Sequence, residues 1–132
     1  MTELPEILFH AAPSTARKSI QRHGIDFRRS RAAAKDFRRQ MLRHGWTPPP
    51  GNYFYGDEMD TMEFADRWIK GACDIWVVNP QDLSLIRDPE PVGDSWYSSG
   101  PVGTESLLGI SWSSSGNPPD TFWSPPKAEI SL

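Results

Sequence analysis

The stretch GNYFYGDEMDTMEFADRW, Gly51 to Trp68, joins an aromatic triplet to an acidic segment and directly follows a run of prolines. Aromatic residues are enriched in strands, so Asn52 to Tyr55 predict a strand. Asp60 stands three residues before Glu63, a spacing typical of a helix N-terminus. That helix is expected to end at Gly71. The stretch therefore predicts a strand that leads straight into a helix.

The triplet Tyr53, Phe54 and Tyr55 has two interpretations. All three rings can belong to a buried strand, or one ring can serve as a platform for a flat ligand. Alternate residues of a strand face the same side. We therefore expect Phe54 to turn to the core, while Tyr53 and Tyr55 share the other face.

Helices are expected early in the chain and most strands late. Glu6–His10 predicts a first strand, and Ser14 is expected to cap a helix through His23 that ends at Gly24. This order favours an α+β fold over a parallel doubly wound sheet. The other expected elements are a basic helix over 31–44, strands over 74–78, 83–86 and 105–112, a loop over 93–102, and a Ser/Pro-rich tail over 113–132 after a domain over 1–112.

Length and composition indicate one loop-rich globular domain. The chain has 132 residues, with thirteen prolines and ten glycines, and no apolar run approaches the ~20 residues of a membrane span. Acidic residues stand near the N-terminus where an export signal carries basic ones. A cytoplasmic location without a membrane partner is therefore expected.

Cys73 is the single cysteine, so no internal disulfide is expected, and its apolar neighbours predict burial.

Charge is divided unevenly along the chain. Residues 1–45 contain ten of the fourteen Lys and Arg but four of the seventeen Asp and Glu, a formal charge of +6, whereas residues 46–132 carry −9. Such segregation indicates a half that faces anions. Nucleic acid and phosphorylated small molecules are the candidates, and a solvated basic helix is the alternative.

Common catalytic and nucleotide-binding signatures are missing. The chain has no GxGxxG, GxxxxGK[ST], HExxH or paired CxxC motif. His10, His23 and His44 do not have the spacing of metal ligands, so no metal site is expected. A Cys–His nucleophilic pair that uses Cys73 stays open at this point.

A set of short motifs remains, and their order is informative. The motifs are Leu8-Phe9-His10-Ala11-Ala12, His23-Gly24-Ile25, Gly51-Asn52-Tyr53-Phe54, a small residue at Ala65, Ile75 to Pro80, Ser95 to Val102, and Thr104-Glu105-Ser106. With these motifs the chain resembles the ADP-ribosyltransferase superfamily, in particular the compact branch with the poly(ADP-ribose) polymerase catalytic domain, tRNA 2′-phosphotransferase and the rifamycin ADP-ribosyltransferases. The resemblance covers about residues 6–112.

The resemblance implies a split antiparallel sheet and the transfer of ADP-ribose from NAD, with release of nicotinamide. His10 would hold a ribose hydroxyl as a donor, Tyr53 would stack on the nicotinamide, and Glu105 would stabilise the developing positive charge. Asp88 competes with Glu105, because the rifamycin-modifying relatives use an aspartate. The residues expected to bind NAD are His10, Ala11, Ala12, Gly24, Arg31, Tyr53 and Tyr55. Ala11 and Ala12 replace the Gly-Thr that is common in the family.

Four functions are compatible with these residues. The first is a mono-ADP-ribosyltransferase that acts on a protein, a nucleic acid or a small molecule, as a resistance enzyme, toxin or phage-type effector does. The second is an NAD glycohydrolase toxin on the same fold, with water as the acceptor. A 2′-phosphotransferase is the third, although its set of arginines has no full match here. The fourth is a non-catalytic module that binds ADP-ribose, or nucleic acid through the basic helix.

Overall fold

A computed structural model describes residues 4–26, 51–69, 71–87 and 95–114, together with residues 29, 39, 42, 43 and 45. In these ranges the protein is a mixed α+β structure with a six-stranded antiparallel sheet and two α-helices. The α+β prediction is therefore confirmed. The elements are β1 Leu8–Pro13, a 3₁₀ turn Ser14–Ala16, α1 Arg17–His23, β2 Asn52–Tyr55, α2 Glu58–Trp68, β3 Cys73–Val78, β4 Ile86–Arg87, β5 Ser95–Ser98, a 3₁₀ turn Thr104–Ser106, and β6 Leu107–Ser113.

The strand order in the sheet is β4-β5-β2-β1-β3-β6, and every pairing is antiparallel. β1 and β3 pair along their whole length, from Leu8 opposite Val78 to Pro13 opposite Cys73. In contrast, β1 and β2 share a single aligned pair, Phe9 opposite Tyr55. The two central strands, β1 and β2, therefore separate from one another beyond the Phe9–Tyr55 pair.

The main core lies on one face of the sheet. Alternation along the strands places Leu8 and Ala12 of β1 on the same side as Phe54 of β2, and all three are buried in one cluster. Phe54 is completely buried, as expected from the aromatic triplet. The other members of the cluster are Ile20, Ile25, Trp76, Val78, Trp96, Val102, Leu107 and Ile110.

The helix α2 covers part of the opposite face. Its Ala65 packs with Cys73 and Ile75 of β3, and Phe9 and Ala11 of β1 lie against the same cluster. The predicted burial of Cys73 is confirmed, since 6% of the residue is exposed. Near its centre, the sheet thus packs against apolar side chains on both faces. This packing holds β1 and β2 in place.

The predicted cap of the first helix is wrong. Ser14 does not cap α1, which begins three residues later and has no side-chain cap. The Ser14 hydroxyl instead donates to the carboxylate of Asp74 at 2.9 Å. Water can satisfy the free N–H groups of a helix end near solvent, whereas a buried carboxylate depends on donors from the protein. The Ser14 hydroxyl is therefore needed more by the carboxylate than by the helix.

The start of α2 also differs from the expectation. The helix begins at Glu58 after Asp57, whose extended backbone and side chain make the cap by accepting the Met59 N–H at 3.3 Å. It therefore starts one turn before the expected Asp60, and it ends at Trp68, ahead of Gly71. The strand before it, Asn52–Tyr55, lies where the sequence predicted it.

The expected loop over 93–102 contains a strand, so that prediction is wrong for Ser95–Ser98. Trp96 enters the main core while Tyr97 faces the other side, the alternation of a half-buried strand. Two other strands are displaced from their expected positions. The 83–86 strand is found at Ile86–Arg87, and the 105–112 strand is found at Leu107–Ser113 after a 3₁₀ turn.

Several expectations lie outside the described residues. Of the expected basic helix over 31–44, Arg39, Leu42 and Arg43 are described, and all three are helical. Arg31 and Asp88 are not among the described residues, nor is the expected tail beyond residue 114. Across the described ranges, none of the helices has the length and apolar character needed to cross a membrane.

Candidate functional site

The point where β1 and β2 part is occupied by a side chain that bridges them. His10 Nδ1 lies 2.7 Å from the backbone carbonyl oxygen of Tyr53. A carbonyl oxygen can only accept, so Nδ1 carries the proton and donates it. In the neutral ring, Nε2 is then an acceptor. The imidazole continues the connection between two strands whose backbones have begun to separate.

Burial keeps the His10 ring neutral. Desolvation lowers the pKa of His10 to about 4, although the hydrogen bond to Tyr53 acts in the opposite direction. The ring also contacts Phe54, with centroids 5.3 Å apart and planes at 45°. At neutral pH, Nε2 of His10 is therefore a hydrogen-bond acceptor. His10 was expected to be a donor instead. A ribose hydroxyl, the expected ligand group, can both donate and accept a hydrogen bond, so it fits either role of His10.

Tyr53 is half-buried and stacks on Tyr97, its cross-strand partner on β5. The ring centroids are 5.7 Å apart and the planes meet at 25°. Tyr55, the other tyrosine on this face, is 8% exposed and packs on Phe64 of α2, with centroids 5.6 Å apart. Tyr55 therefore supports α2, and Tyr53 presents the more accessible ring.

His10 and Tyr53 meet through a side chain and a backbone carbonyl, not through their two side chains. His10 contacts Phe54 on the main-core face, whereas alternation directs the Tyr53 ring to the face covered by α2. A flat group on one face cannot touch both side chains.

Ala11 of β1 faces the same side of the sheet as Tyr53. Both stand two residues beyond the Phe9–Tyr55 pair, past the point where the strands part. Ala11 lies against the cluster that contains Ala65 of α2.

Glu105 is the candidate carboxylate that the structure describes, and it belongs to the β6 edge of the sheet, whereas Asp88 lies outside the described residues. Glu105 is exposed in the turn that leads into β6, and β1 and β3 lie between β6 and β2. At about 4.8 Å per strand step, β6 is about 14 Å from β2. Asp88 follows Arg87 of β4, which pairs with Trp96 of β5, the direct neighbour of β2. The described structure does not bring Glu105 next to His10 or Tyr53.

Two further candidates have positions that packing explains. Gly24 ends α1 with a φ of +81°, and a Cβ there would overlap the carbonyl oxygen of Val102. The close approach accompanies a bridge in which Ile25 and Val102 exchange two backbone hydrogen bonds of 2.8 Å. Ala12 is buried in the main core opposite Asp74. Both residues shape the ends of elements around the site.

A buried ionic network anchors the end of β1, and the sequence reading missed it. The Asp74 carboxylate accepts hydrogen bonds from Arg17 Nε at 2.8 Å and Nη2 at 2.6 Å, and from the hydroxyls of Ser14 and Ser113. Burial raises the pKa of Asp74, but these donors outweigh it and hold the pKa below its usual value. A charged residue inside an otherwise apolar strand was the available signal.

The second missed residue is Tyr97. Its stretch, Ser95 to Ser98, was interpreted as a loop, although Trp96 and Tyr97 alternate as in a strand. Asn52 fixes the end of this strand, because its Nδ2 donates to the Gly100 carbonyl at 2.9 Å.

In the described ranges, no three or more His, Cys, Asp or Glu side chains form a group that could hold a metal ion.

Comparison with known proteins gives no match: no protein-family model, no curated protein and no solved structure is similar to this chain.

Proposed function

We propose that this protein is an NAD-dependent mono-ADP-ribosyltransferase that moves ADP-ribose from NAD to an acceptor and releases nicotinamide. One observation carries the proposal: His10 and Tyr53, on adjacent strands, meet where β1 and β2 part. These are the two residues that the resemblance assigns to the ribose hydroxyl and the nicotinamide ring. They lie forty-three positions apart in the chain, so their meeting does not follow from sequence proximity.

We also propose the finer fold assignment. A split antiparallel sheet is what the resemblance implies, and β1 and β2 hold one aligned pair before they separate. The neighbouring β1–β3 ladder has six aligned pairs. The break is therefore local to the two strands that would hold the dinucleotide.

The residues at the junction fit the parts of NAD in different ways. Nε2 of neutral His10 accepts a hydrogen bond from a ribose hydroxyl, which needs no charge on the ring. The Tyr53 ring, whose other side is stacked on Tyr97, offers a face to nicotinamide. Arg17 is held by Asp74, so the pyrophosphate has to be met by other basic residues of the N-terminal half, such as Arg31, or by backbone N–H groups.

The chemistry breaks one bond and forms another. The bond between ribose C1′ and the nicotinamide nitrogen breaks, and nicotinamide leaves with the electron pair. A nucleophilic atom of the acceptor bonds to C1′ and releases its proton. Positive charge develops on the ribose during this exchange, so a carboxylate close to the ring accelerates it.

Asp88 is our candidate for that carboxylate. It follows β4, whose neighbour β5 pairs with the strand of Tyr53, whereas two strands separate Glu105 from that strand. From β1, the strand of His10, β6 is the nearer edge, so Glu105 is the second candidate. The matched variants Asp88→Asn and Glu105→Gln each remove one negative charge and preserve side-chain size, so they compare the two positions directly.

The test is nicotinamide release from NAD by the full chain, with both variants and with NAD titrated by calorimetry. We expect the parent to bind NAD and release nicotinamide. Asp88→Asn should reduce release by about 10²- to 10³-fold, and Glu105→Gln should stay within twofold. Loss in Glu105→Gln alone would transfer the catalytic role to Glu105. A parent that neither binds nor cleaves NAD would refute the proposal and favour a module with another ligand.

The acceptor and the glycohydrolase alternative are separated by the product. Free ADP-ribose as the sole product identifies water as the acceptor. A parent that binds NAD without cleaving it is screened with candidate acceptors, because such transferases react when the acceptor is present. A nucleic-acid acceptor would show affinity that falls steeply with salt, whereas a neutral small molecule would not.

A further inference from the structure

The aromatic pair on the α2 face includes a residue that the proposed function does not use. Tyr97 of β5 and Tyr53 of β2 are direct cross-strand partners, and their rings are stacked at 5.7 Å and 25°. Cross-strand partners lie on the same face of a sheet. Tyr97 therefore flanks Tyr53 on the side away from β1.

We propose that Tyr97 is a positioning residue that holds the Tyr53 ring so that its β1-facing side receives the nicotinamide, which gives a stack of three rings. The inference rests on the proposed function and adds a determinant of NAD affinity to it. Tyr97 itself contacts Tyr53, not the ligand.

The row of side chains across this face explains why the ligand enters on the β1 side. Ile86 is opposite Tyr97, Tyr97 is opposite Tyr53, and Ala11 is opposite Ile75. Ala11 faces the same side of the sheet as Tyr53, so the row changes from bulky rings to a methyl group between β2 and β1. A nicotinamide ring that stacks on Tyr53 therefore has to approach from the β1 side, because Tyr97 covers the other side of the ring.

Ring orientation needs such support because χ1 of a strand tyrosine has more than one accessible rotamer. An offset-stacked neighbour is worth about 0.5–1.5 kcal/mol beyond the area it buries. At about 1.4 kcal/mol per tenfold change, loss of the stack corresponds to an approximately two- to tenfold change in affinity. The backbone pairing of β5 with β2 is independent of the Tyr97 ring and persists without it.

The test uses Tyr97→Phe, which keeps the ring, and Tyr97→Leu, which keeps apolar bulk without a flat ring. Phe64→Leu is the matched control, because it removes a ring from the other aromatic pair on this face. NAD affinity is measured by calorimetry, and KM and kcat are measured for nicotinamide release. We expect Tyr97→Leu to raise the Kd and KM two- to tenfold with kcat within twofold, and Tyr97→Phe and Phe64→Leu to match the parent.

A second readout needs no NAD. In the absence of ligand, Tyr97→Leu should shift the NMR resonances of the Tyr53 ring protons, because the ring current of the stacked neighbour is lost, and Tyr97→Phe should leave them near the parent values. Unchanged Tyr53 resonances in Tyr97→Leu, or unchanged NAD affinity, would overturn the positioning role and leave the proposed function intact. A parent that does not bind NAD would overturn the proposed function and, with it, the role of Tyr97 in binding.

Discussion

The guanidinium of Arg17 donates two hydrogen bonds to the carboxylate of Asp74, from Nε to Oδ2 at 2.8 Å and from Nη2 to Oδ1 at 2.6 Å. The Asp74 side chain is fully buried, and that of Arg17 is 21% exposed. The pair joins the start of α1 to β3, and Asp74 lies opposite Ala12 in the ladder. The end of β1 that follows His10 is therefore held by an ionic contact in addition to backbone pairing.

Replacement of Arg17 should strongly destabilise the fold. Arg17→Met leaves a buried carboxylate without its main partner, so we expect the free energy of unfolding to fall by about 3–5 kcal/mol. Arg22→Met, at an exposed position of the same helix, should change it by less than about 0.5 kcal/mol. Urea unfolding at pH 7 measures both, and equal stabilities of the two variants would contradict the importance of the pair.

The same variant has a predicted pH dependence. The parent's low Asp74 pKa gives stability above the unfolded value of about 3.9 that is lost as the pH falls through the lower folded value. Without Arg17, the pKa of Asp74 rises from its parental value, because the guanidinium that lowers it is gone while burial, which raises it, stays. Protonation of Asp74 then removes the unpaired buried charge of the variant. The difference between the unfolding free energies of the parent and Arg17→Met should therefore become smaller as the pH falls. A gap that widens would show that Asp74 is not the responsible group.

His10 should make stability fall in a different pH window. Its pKa is about 4 in the fold, against 6.5 for an unperturbed ring, so the unfolded chain takes up a proton first as the pH decreases. Stability is complete above about pH 6.5 and declines towards about pH 4, by at most about 3 kcal/mol. The comparison of parent with His10→Gln in urea unfolding from about pH 7.5 to about pH 4.5 isolates this contribution from those of the carboxylates. A parent–variant difference that is constant over this range would refute the low pKa.

Tyr53 should be needed for its ring and not for its hydroxyl. Tyr53→Ala removes the platform and should abolish nicotinamide release, whereas Tyr53→Phe should keep much of it, because stacking depends on the ring. Thermal unfolding of both variants serves as the control for folding. Tyr53→Ala with parental activity despite a loss of stability would mean that the ring is only structural.

Gly24 should tolerate no side chain, and Gly71 supplies the comparison. Both have positive φ, +81° and +89°, but a Cβ meets the Val102 carbonyl at Gly24 and nothing within 4 Å at Gly71. Gly71→Ala should cost about 1 kcal/mol from backbone strain alone. Gly24→Ala should cost clearly more, since the Ile25–Val102 bridge must move. Equal losses in urea unfolding would show that the close approach is relieved at no cost.

Local patterns in the sequence identified the elements that depend on local physics. The strand Asn52–Tyr55, the burial of Phe54 and Cys73, and the end of α1 at Gly24 agree with the structure. Strand alternation and the conformational freedom of glycine act over a few residues, so neighbouring letters are enough to show them. The first strand, expected over Glu6–His10, lies at Leu8–Pro13, a shift typical of boundaries that pairing partners set.

Contacts between distant segments were beyond the sequence pattern. Ser14 reads as a helix cap, yet it serves Asp74, sixty positions away, and the apparent loop around Tyr97 becomes a strand because β2 supplies its partner. The sequence by itself determined the α+β class and named His10 and Tyr53. Tertiary structure decided that β1 and β2 part at that pair, that burial makes the imidazole a neutral acceptor, and that Tyr97 flanks the ring. Hydrogen bonding across strands and desolvation depend on what the fold brings near, and no local pattern encodes that.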